Sequence, residues 1–285
     1  MGTVHVVATP IGNLEDITLR ALRVLAEADL VFAEDTRRTR ILLDKHRVQA
    51  RPLSLHSRNE SERIALALEK LRPGGQVALV SDAGTPLVSD PGARLVAAAL
   101  EAGHRVESVP GASAVMAALV CSGLRPSPFA FLGFPPRKPG ALRRWLEPYR
   151  DRGETLVLFE SPHRVGATLA ALAEVLGTRR ACLARELTKL HEEVVRGELP
   201  ELAERFAEGA RGECTLVVEG SDSERVAVEG AVALTEEALE GEILARLEAG
   251  QRPREIAAAL AARTGLPRRV LYSRALRARG DRGAE

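Results

Sequence analysis

The chain has 285 residues, of which 45% are hydrophobic, and its 40 basic and 39 acidic residues leave a formal net charge of +1. This length exceeds what one hydrophobic core usually serves, so at least two domains are expected. The near-zero net charge argues against a protein that is basic over its whole surface, and any contact with nucleic acid must be local.

Strand-like runs alternate with helical stretches in the first 122 residues. The runs are 4–8, 30–33, 52–55, 76–80 and 105–109. This alternation predicts a mostly parallel β-sheet covered by helices. After the fourth run, Pro91 fits the first turn of a helix whose buried face is predicted to hold Leu95, Val96 and Leu100.

Three polar loops follow strands in this half, at residues 9–13, 82–92 and 110–114. Parallel strands end at one edge of a sheet, where open α/β sheets bind ligands, so the loops should converge there. Any one loop alone is equally compatible with an ordinary strand-to-helix turn. None matches the dinucleotide fingerprint or the phosphate loop of ATP-binding proteins. Together they favour a nucleoside-like ligand other than NAD or ATP.

A stretch rich in Ser, Gly and Pro at residues 122–128 predicts a domain linker. Beyond it, strand candidates recur at 129–133, 155–159, 180–184, 192–196 and 214–219, with helical stretches near 139–150, 164–176 and 199–207. Some neighbouring strands have no helix between them, which favours antiparallel pairing. We therefore predict a first α/β domain at 1–122 and a second at 129–220.

The C-terminal region changes abruptly in charge. Residues 221–242 hold seven acids and one arginine, whereas residues 252–282 hold nine arginines and two acids. Thr235, Pro253, Gly265 and Pro267 fit helix ends, so a helical, Arg-rich module is predicted at 235–285. The arginines suit nucleic-acid phosphates, or else form a solvated face.

Three cysteines, Cys121, Cys182 and Cys214, lie far apart and lack the spacing of metal ligands. No cluster of His, Cys or acidic residues indicates a metal site. No leader-like segment opens the chain, and no apolar run approaches the ~18 residues of a membrane span. A reduced, cytoplasmic setting without membrane contact is expected.

Seven strings, several of them long and unusual, carry a resemblance to a known family. They are residues 8–18 (ATPIGNLEDIT), 33–37 (AEDTR), 82–92 (DAGTPLVSDPG), 110–114 (PGASA), 133–138 (GFPPRK), 159–164 (FESPHR) and 184–193 (ARELTKLHEE). The chain resembles the tetrapyrrole methylase superfamily. Within it, the chain is similar to the 2′-O-ribose methyltransferases that act on a decoding-centre cytidine of small-subunit (16S) ribosomal RNA.

The resemblance implies S-adenosylmethionine, bound in a cleft between two α/β domains, and a homodimer. The residues it implies for the cofactor are Pro10, Asp82, Thr85, Val88, Ala112 and Ser113 from the first domain, and Phe159, Gly212 and Glu213 from the second. Thr85 stands where tetrapyrrole-methylating relatives carry Asp, so its contact departs from their pattern.

Transfer to a ribose hydroxyl needs a base, because the hydroxyl is a poor nucleophile. The candidate catalytic residues are Lys189, Glu186, Asp35 and Arg37. Spacing of three puts Glu186 and Lys189 on one face of a helix but on opposite faces of a strand. Lys189 acts as a base only with a lowered pKa and otherwise as a phosphate clamp or exposed cation. Asp35 and Arg37 either position the RNA or form a salt-bridged helix start.

Candidate RNA contacts are basic residues of loops and of the C-terminal module. They are Arg137, Lys138, His163, Arg164, Arg268 and Arg269. His163 is also compatible with a proton shuttle or with a plain loop hydrogen bond. Two rival functions stay open. A tetrapyrrole methylase has no need of the Arg-rich module, and a non-catalytic RNA-binding protein has no need of the converging loops.

Overall fold

The first half of the chain builds a parallel sheet, as predicted. The computed structural model describes residues 1–87, 91–221, 236–264 and 268–280. The five strands are β1 (Thr3–Val7), β2 (Leu30–Ala33), β3 (Pro52–Ser54), β4 (Gln76–Val80) and β5 (Arg105–Val109). They pair in the order β3-β2-β4-β1-β5, and every pairing is parallel. The reversal of strand order beside β1 is where such sheets open a crevice.

Helices cover both faces of this sheet. They are α1 (Leu19–Glu27), α2 (Thr36–Lys45), α3 (Glu60–Leu71) and α4 (Ala93–Glu101), and α5 (Ala114–Ser122) follows β5. Side chains alternate between the two faces of a strand. Val31 accordingly packs with α1 and α2, and Phe32 with α3 and α4. In α4 the buried pair is Leu95 and Ala99, whereas Leu100 is 56% exposed, so the predicted burial of Leu100 was wrong.

The second sheet is mixed. Its strands are β6 (Phe129–Phe131), β7 (Thr155–Glu160), β8 (Arg180–Arg185), β9 (Glu193–Glu198) and β10 (Cys214–Val218), in the order β6-β7-β10-β8-β9. The β6–β7 pair is parallel and the other pairs are antiparallel, as the sequence favoured. The helices of this half are α6 (Pro139–Leu146), α7 (Val165–Leu176) and α8 (Leu199–Arg205).

A hydrophobic cluster joins helix α5 of the first half to the second sheet. Helix α5 packs on β8 and β10, and its Val115 and Leu119 join Val157, Cys182 and Val217 in one buried cluster. Met1–Leu146 and Thr155–Glu219 consequently form one compact unit. The ranges 1–122, 129–220 and 235–285 remain our proposed division of the chain into domains.

The second compact unit comprises Glu147–Glu154 and Gly220–Glu285. Its described helices are α9 (Glu236–Glu248), α10 (Pro253–Thr264) and α11 (Arg268–Gly280). Leu239, Ile243, Ile256, Leu260 and Leu271 form its core. The expected helix-end residues Thr235, Gly265 and Pro267 lie outside the described residues. Within the described ranges, no helix combines the length and the apolar character needed to cross a membrane.

Candidate active site

The loops after β1 and β4 are fastened to each other. Thr9 and Gly84 exchange two backbone hydrogen bonds, of 2.9 and 3.0 Å. The Thr9 hydroxyl donates to the Ser81 carbonyl at 3.1 Å. Gly84 has a φ of +80°, which favours glycine, and a Cβ there would meet Ala112 O of the third loop at 3.6 Å. The predicted convergence of the three loops is therefore present.

A cavity of about 590 Å³ opens beside these loops, within the volume typical of small-molecule sites. Both halves of the first compact unit contribute to it. Its lining includes Ile11, Asp82, Gly84, Thr85 and Ser113 from the first half, and Phe131, Phe134, Phe159, Glu160, Glu213 and Cys214 from the second. We call it the main cavity.

One wall of the main cavity is aromatic. The Phe159 ring lies 4.9 Å from the Phe131 ring and 5.5 Å from the Phe134 ring, measured between centroids. Phe131 and Phe159 meet edge to face, an arrangement that aromatic pairs prefer. Phe129 also lines the cavity, and only Phe159 was expected here, so sequence reasoning missed three of the four phenylalanines.

A second cavity of about 290 Å³ adjoins the first. The two share five lining residues, Ile11, Arg38, Asp82, Ala83 and Glu213. Among its further lining residues are Pro10, Gly12, Leu14, Ile41 and Lys189. A ligand in one cavity therefore lies next to a ligand in the other.

Lys189 links two carboxylates at the wall of the second cavity. Its Nζ lies 2.8 Å from Glu186 Oε1 and 2.8 Å from Glu213 Oε2. Neither the helix nor the strand geometry expected for Glu186 and Lys189 occurs. Both lie on a tight turn after β8, in which Glu186 has a φ of +51° and the Lys189 N–H donates to the Glu186 carbonyl. The turn, not a helix, brings the two side chains together.

The charges of this cluster reinforce one another. Burial alone would lower the pKa of the Lys189 amine, but hydrogen bonds to Glu186 and Glu213 hold this pKa above its usual value. The Lys189 ammonium and the Glu213 N–H hold the pKa of the Glu186 carboxyl below its usual range. Lys189 is therefore protonated near neutral pH, and this state is unsuited to a base.

Asp35 and Arg37 form a helix start. The Asp35 carboxylate caps α2 by accepting from the Arg37 N–H, and it receives Arg37 Nε at 3.0 Å and NH2 at 2.6 Å. The Arg37 guanidinium holds the pKa of the Asp35 carboxyl well below its usual range. Neither residue belongs to the described lining of either cavity. Their contacts are those of the salt-bridged alternative, and Arg38 lines both cavities instead.

The predicted cofactor residues divide into groups. Asp82, Thr85, Ser113, Phe159 and Glu213 line the main cavity. Pro10 lines the second cavity, whereas Ala112 and Gly212 belong to the described lining of neither cavity. Val88 lies outside the described residues.

The residues predicted to contact RNA differ in their exposure and in their side-chain partners. Arg137, Lys138, His163, Arg268 and Arg269 are exposed. Arg164 is half-buried, and its guanidinium donates to the Pro136 carbonyl at 2.9 Å and pairs with Glu160 at 3.2 Å. These contacts fasten the loop before α6, so the Arg164 side chain is committed to the fold.

The three cysteines should differ in reactivity. Cys182 and Cys214 are buried, and burial raises the pKa of each thiol to about 11, whereas Cys121 is half-exposed. The thiolate is the reactive form. We expect iodoacetamide at mildly alkaline pH to label Cys121 in the folded protein and all three thiols in denaturant, as read by peptide mass spectrometry. Labelling of Cys182 at the rate of Cys121 would contradict this environment.

Comparison with known proteins agrees with the fold and the loops. The family model of tetrapyrrole (corrin/porphyrin) methylases matches residues 3–203. A protein of Micromonospora olivasterospora named ribosomal RNA small subunit methyltransferase I is 47% identical over 95% of this chain and 85% of its own length. A protein of the same name from Thermotoga maritima is 46% identical over 78% of this chain and its entire length.

A solved structure shares the architecture. The crystal structure of the methyltransferase CobJ superposes with a TM-score of 0.59 at 22% identity, over 77% of this chain and 95% of that one. At this identity the likeness concerns the fold. The family match covers the whole first sheet, strands β6–β9 of the second sheet and the three loops at 9–13, 82–92 and 110–114. The chain therefore belongs to the tetrapyrrole (corrin/porphyrin) methylase family.

Proposed function

We propose that the chain transfers a methyl group from S-adenosylmethionine to the 2′-hydroxyl of a cytidine ribose in the decoding centre of 16S ribosomal RNA. The names of the two relatives support the ribosomal RNA substrate. One observation carries the chemistry: two adjoining cavities share Glu213, and its carboxylate is bound by the ammonium of Lys189, which lines the second cavity and also binds Glu186. Such an arrangement suits a donor, an acceptor and a proton acceptor side by side.

The residues of the main cavity fit S-adenosylmethionine. Phe131, Phe134 and Phe159 offer an apolar aromatic wall, which suits both an adenine ring and a sulfonium cation. The Asp82 carboxylate, which also lines this cavity, suits the ammonium group of the cofactor. When bound, the cofactor supplies an electrophilic methyl group on its sulfonium sulfur.

The chain's own residues handle the acceptor proton. Glu213 lines both cavities, and its side chain is 64% exposed. Lys189 contacts Glu213 Oε2, and among the described contacts Oε1 accepts no hydrogen bond. We assign the proton of the ribose hydroxyl to Glu213 Oε1. Lys189 and Glu186 act as positioning residues, because their ion pair holds the Glu213 carboxylate in place.

The wider surface supplies RNA contacts in this proposal. Arg137, Lys138 and His163 are exposed in the first compact unit, and Arg268 and Arg269 in the second. Phosphate contacts of this kind orient RNA without reading its sequence. We further propose a homodimer, which light scattering of the purified protein tests, and a cytoplasmic location, where ribosomal subunits are its substrate.

The test of this function is transfer of labelled methyl from S-adenosylmethionine to purified small subunits that lack the modification. Nuclease mapping then locates the label. A label retained in an alkali-resistant dinucleotide establishes ribose methylation, because a 2′-methoxy group blocks alkaline cleavage of the adjacent phosphodiester. No label on subunits or on naked rRNA, despite measured cofactor binding, would overturn the RNA substrate in favour of a tetrapyrrole-type one.

Replacing Phe159 should weaken cofactor binding. Phe159→Leu keeps an apolar side chain but removes the ring that contacts both Phe131 and Phe134. Aromatic pairs contribute about 0.5–1.5 kcal/mol beyond burial, so calorimetry should show the Kd for S-adenosylmethionine rising about two- to tenfold. Phe206→Leu, at the end of α8 and outside the described cavity lining, is the control. Equal Kd values for both variants would remove the aromatic wall from the cofactor site.

A further inference from the structure

Arg38 differs from its neighbour Arg37 in how its guanidinium is used. Arg37 holds Asp35 with two hydrogen bonds. The Arg38 guanidinium has one ion pair among the described residues, at 3.7 Å from Asp82 Oδ2, which is too long for a hydrogen bond. Its side chain is 61% exposed and lines both cavities. Its N–H donors are therefore available to a ligand.

The Asp82 carboxylate restricts the position of the Arg38 guanidinium, but it accepts no hydrogen bond from the guanidinium N–H groups. Asp82 Oδ1 accepts the Asp35 N–H at 2.8 Å, so the carboxylate is fixed to the start of α2. Its other oxygen, Oδ2, faces Arg38. The attraction between the two charges keeps the guanidinium at the shared wall of the cavities.

Ile41 lies one helical turn after Arg38, on the same face of α2. It also lines the second cavity and is 61% exposed. Pro10 and Leu14 continue this apolar lining. A surface that joins an available guanidinium to apolar side chains suits a nucleotide, which joins a phosphate to a sugar and a base.

Lys189, the other cation in the described lining of the second cavity, already has carboxylate partners. The Lys189 ammonium is bound to Glu186 and Glu213, so two of its three donors are taken. A phosphate entering the second cavity therefore meets Arg38 as the cation with free donors in the described lining. The planar guanidinium fork also matches phosphate oxygens in pairs, which an ammonium does not.

We infer that the second cavity receives the acceptor nucleotide, and that Arg38 binds the phosphate adjacent to the reacting ribose. The inference rests on the proposed function and deepens it, since it names a substrate-binding residue outside the contacts predicted from the sequence. With the phosphate on Arg38, the ribose lies between the main cavity and the carboxylate of Glu213. Arg38 is thus a substrate-positioning residue of the acceptor pocket.

The test compares Arg38→Ala, Arg38→Lys and Arg40→Ala. Arg40 is exposed on the same helix but is outside the described lining of both cavities, so it serves as the matched control. The probe is cytidine 3′-monophosphate, titrated by calorimetry into protein saturated with S-adenosylhomocysteine. A lost charge-assisted contact should weaken its binding about tenfold to a hundredfold in Arg38→Ala. The affinity of Arg38→Lys for the mononucleotide should lie between those of Arg38→Ala and the unchanged protein. The affinity of Arg40→Ala should equal that of the unchanged protein.

Methyl transfer to small subunits gives the second readout. Arg38→Ala should raise the KM for subunits while the Kd for S-adenosylmethionine stays within about twofold, a change that is small beside a tenfold step. Binding of the mononucleotide should also lose part of its salt dependence, because one phosphate contact is gone.

The outcomes separate the two proposals. If mononucleotide binding depends on Arg38 but the unchanged protein methylates no RNA, the acceptor pocket is supported and the proposed function is overturned. If the unchanged protein methylates RNA but Arg38→Ala and Arg40→Ala bind the mononucleotide equally, the proposed function is supported and the acceptor pocket is overturned. The same holds if neither variant binds the mononucleotide. A fall in cofactor affinity as large as the fall in mononucleotide affinity would assign Arg38 to the cofactor instead.

Discussion

Lys189→Met should lower kcat for methyl transfer by up to about a hundredfold to a ten-thousandfold, the whole contribution of a proton acceptor such as Glu213, which Lys189 positions. In the unchanged protein the Lys189 ammonium lies 2.8 Å from both the Glu186 and the Glu213 carboxylates. Without it, two negative charges face each other, which raises the pKa of one of them and pushes the side chains apart. Single-turnover assays with labelled S-adenosylmethionine measure the loss.

The pH profile distinguishes this mechanism from general damage. The Lys189 ammonium lies 2.8 Å from the Glu213 carboxylate and favours its ionised form, so the removal of Lys189 should move the acid limb of kcat/KM to higher pH. Lys70→Met is the control, because Lys70 is exposed on α3 and is outside the described lining of both cavities. A loss of rate in Lys189→Met with an unmoved acid limb would show that the cluster does not handle the proton.

The same ion pair predicts how stability depends on pH. The pKa of Glu186 is lowered, so its contribution is present above the unfolded pKa of glutamate and is lost as pH falls through the folded value. The pKa of Lys189 is raised, so its contribution is present below the unfolded pKa of lysine and is lost as pH rises through the folded value. Lys189→Met should therefore cost a nearly constant unfolding free energy between about pH 4.3 and about pH 10.4.

The sheets could be predicted from the sequence because their signal is local. Each buried strand of the first half is a short apolar run between turns, and parallel pairing follows from the helices between the runs. Helix faces were less certain. Leu95 and Leu100 are five positions apart, which places them about 140° apart around a helix, so only one of them can point to the centre of a narrow buried stripe. Ala99 takes the second core position of α4.

Side-chain partners in the site could not be predicted, because they depend on contacts between distant segments. Arg37 and Arg38 are adjacent and chemically identical, yet the Asp35 cap takes the first and leaves the second for the cavities. A turn with left-handed residues at Glu186 and Thr188 decides where Lys189 points. A glycine in a sequence signals that the backbone can adopt a positive φ, whereas a glutamate or a threonine gives no such signal.

Gly212→Ala should be the most damaging glycine replacement near the site. Gly212 has a φ of +80°, and a Cβ there would lie 2.3 Å from the Glu186 carboxyl carbon. The left-handed backbone alone costs about 1–2 kcal/mol with a side chain. The displaced Glu186 would also lose its bonds to Lys189 and to the Glu213 N–H, at about 1–3 kcal/mol for each charge-assisted bond. We expect a large drop in the unfolding free energy and a loss of methyl transfer.

Gly103→Ala is the control that separates the effect of backbone strain from the effect of the steric clash with Glu186. Gly103 has a φ of +78°, but a Cβ added there would have no atom within 4 Å. Both variants therefore carry the left-handed strain, and only Gly212→Ala displaces Glu186. Urea unfolding should show a larger loss for Gly212→Ala, and kcat should fall in that variant alone. Combining Gly212→Ala with Lys189→Met should cost less activity than the two losses together, because both act on one cluster. Full additivity would mean that Gly212 acts on the reaction by another route than Glu186.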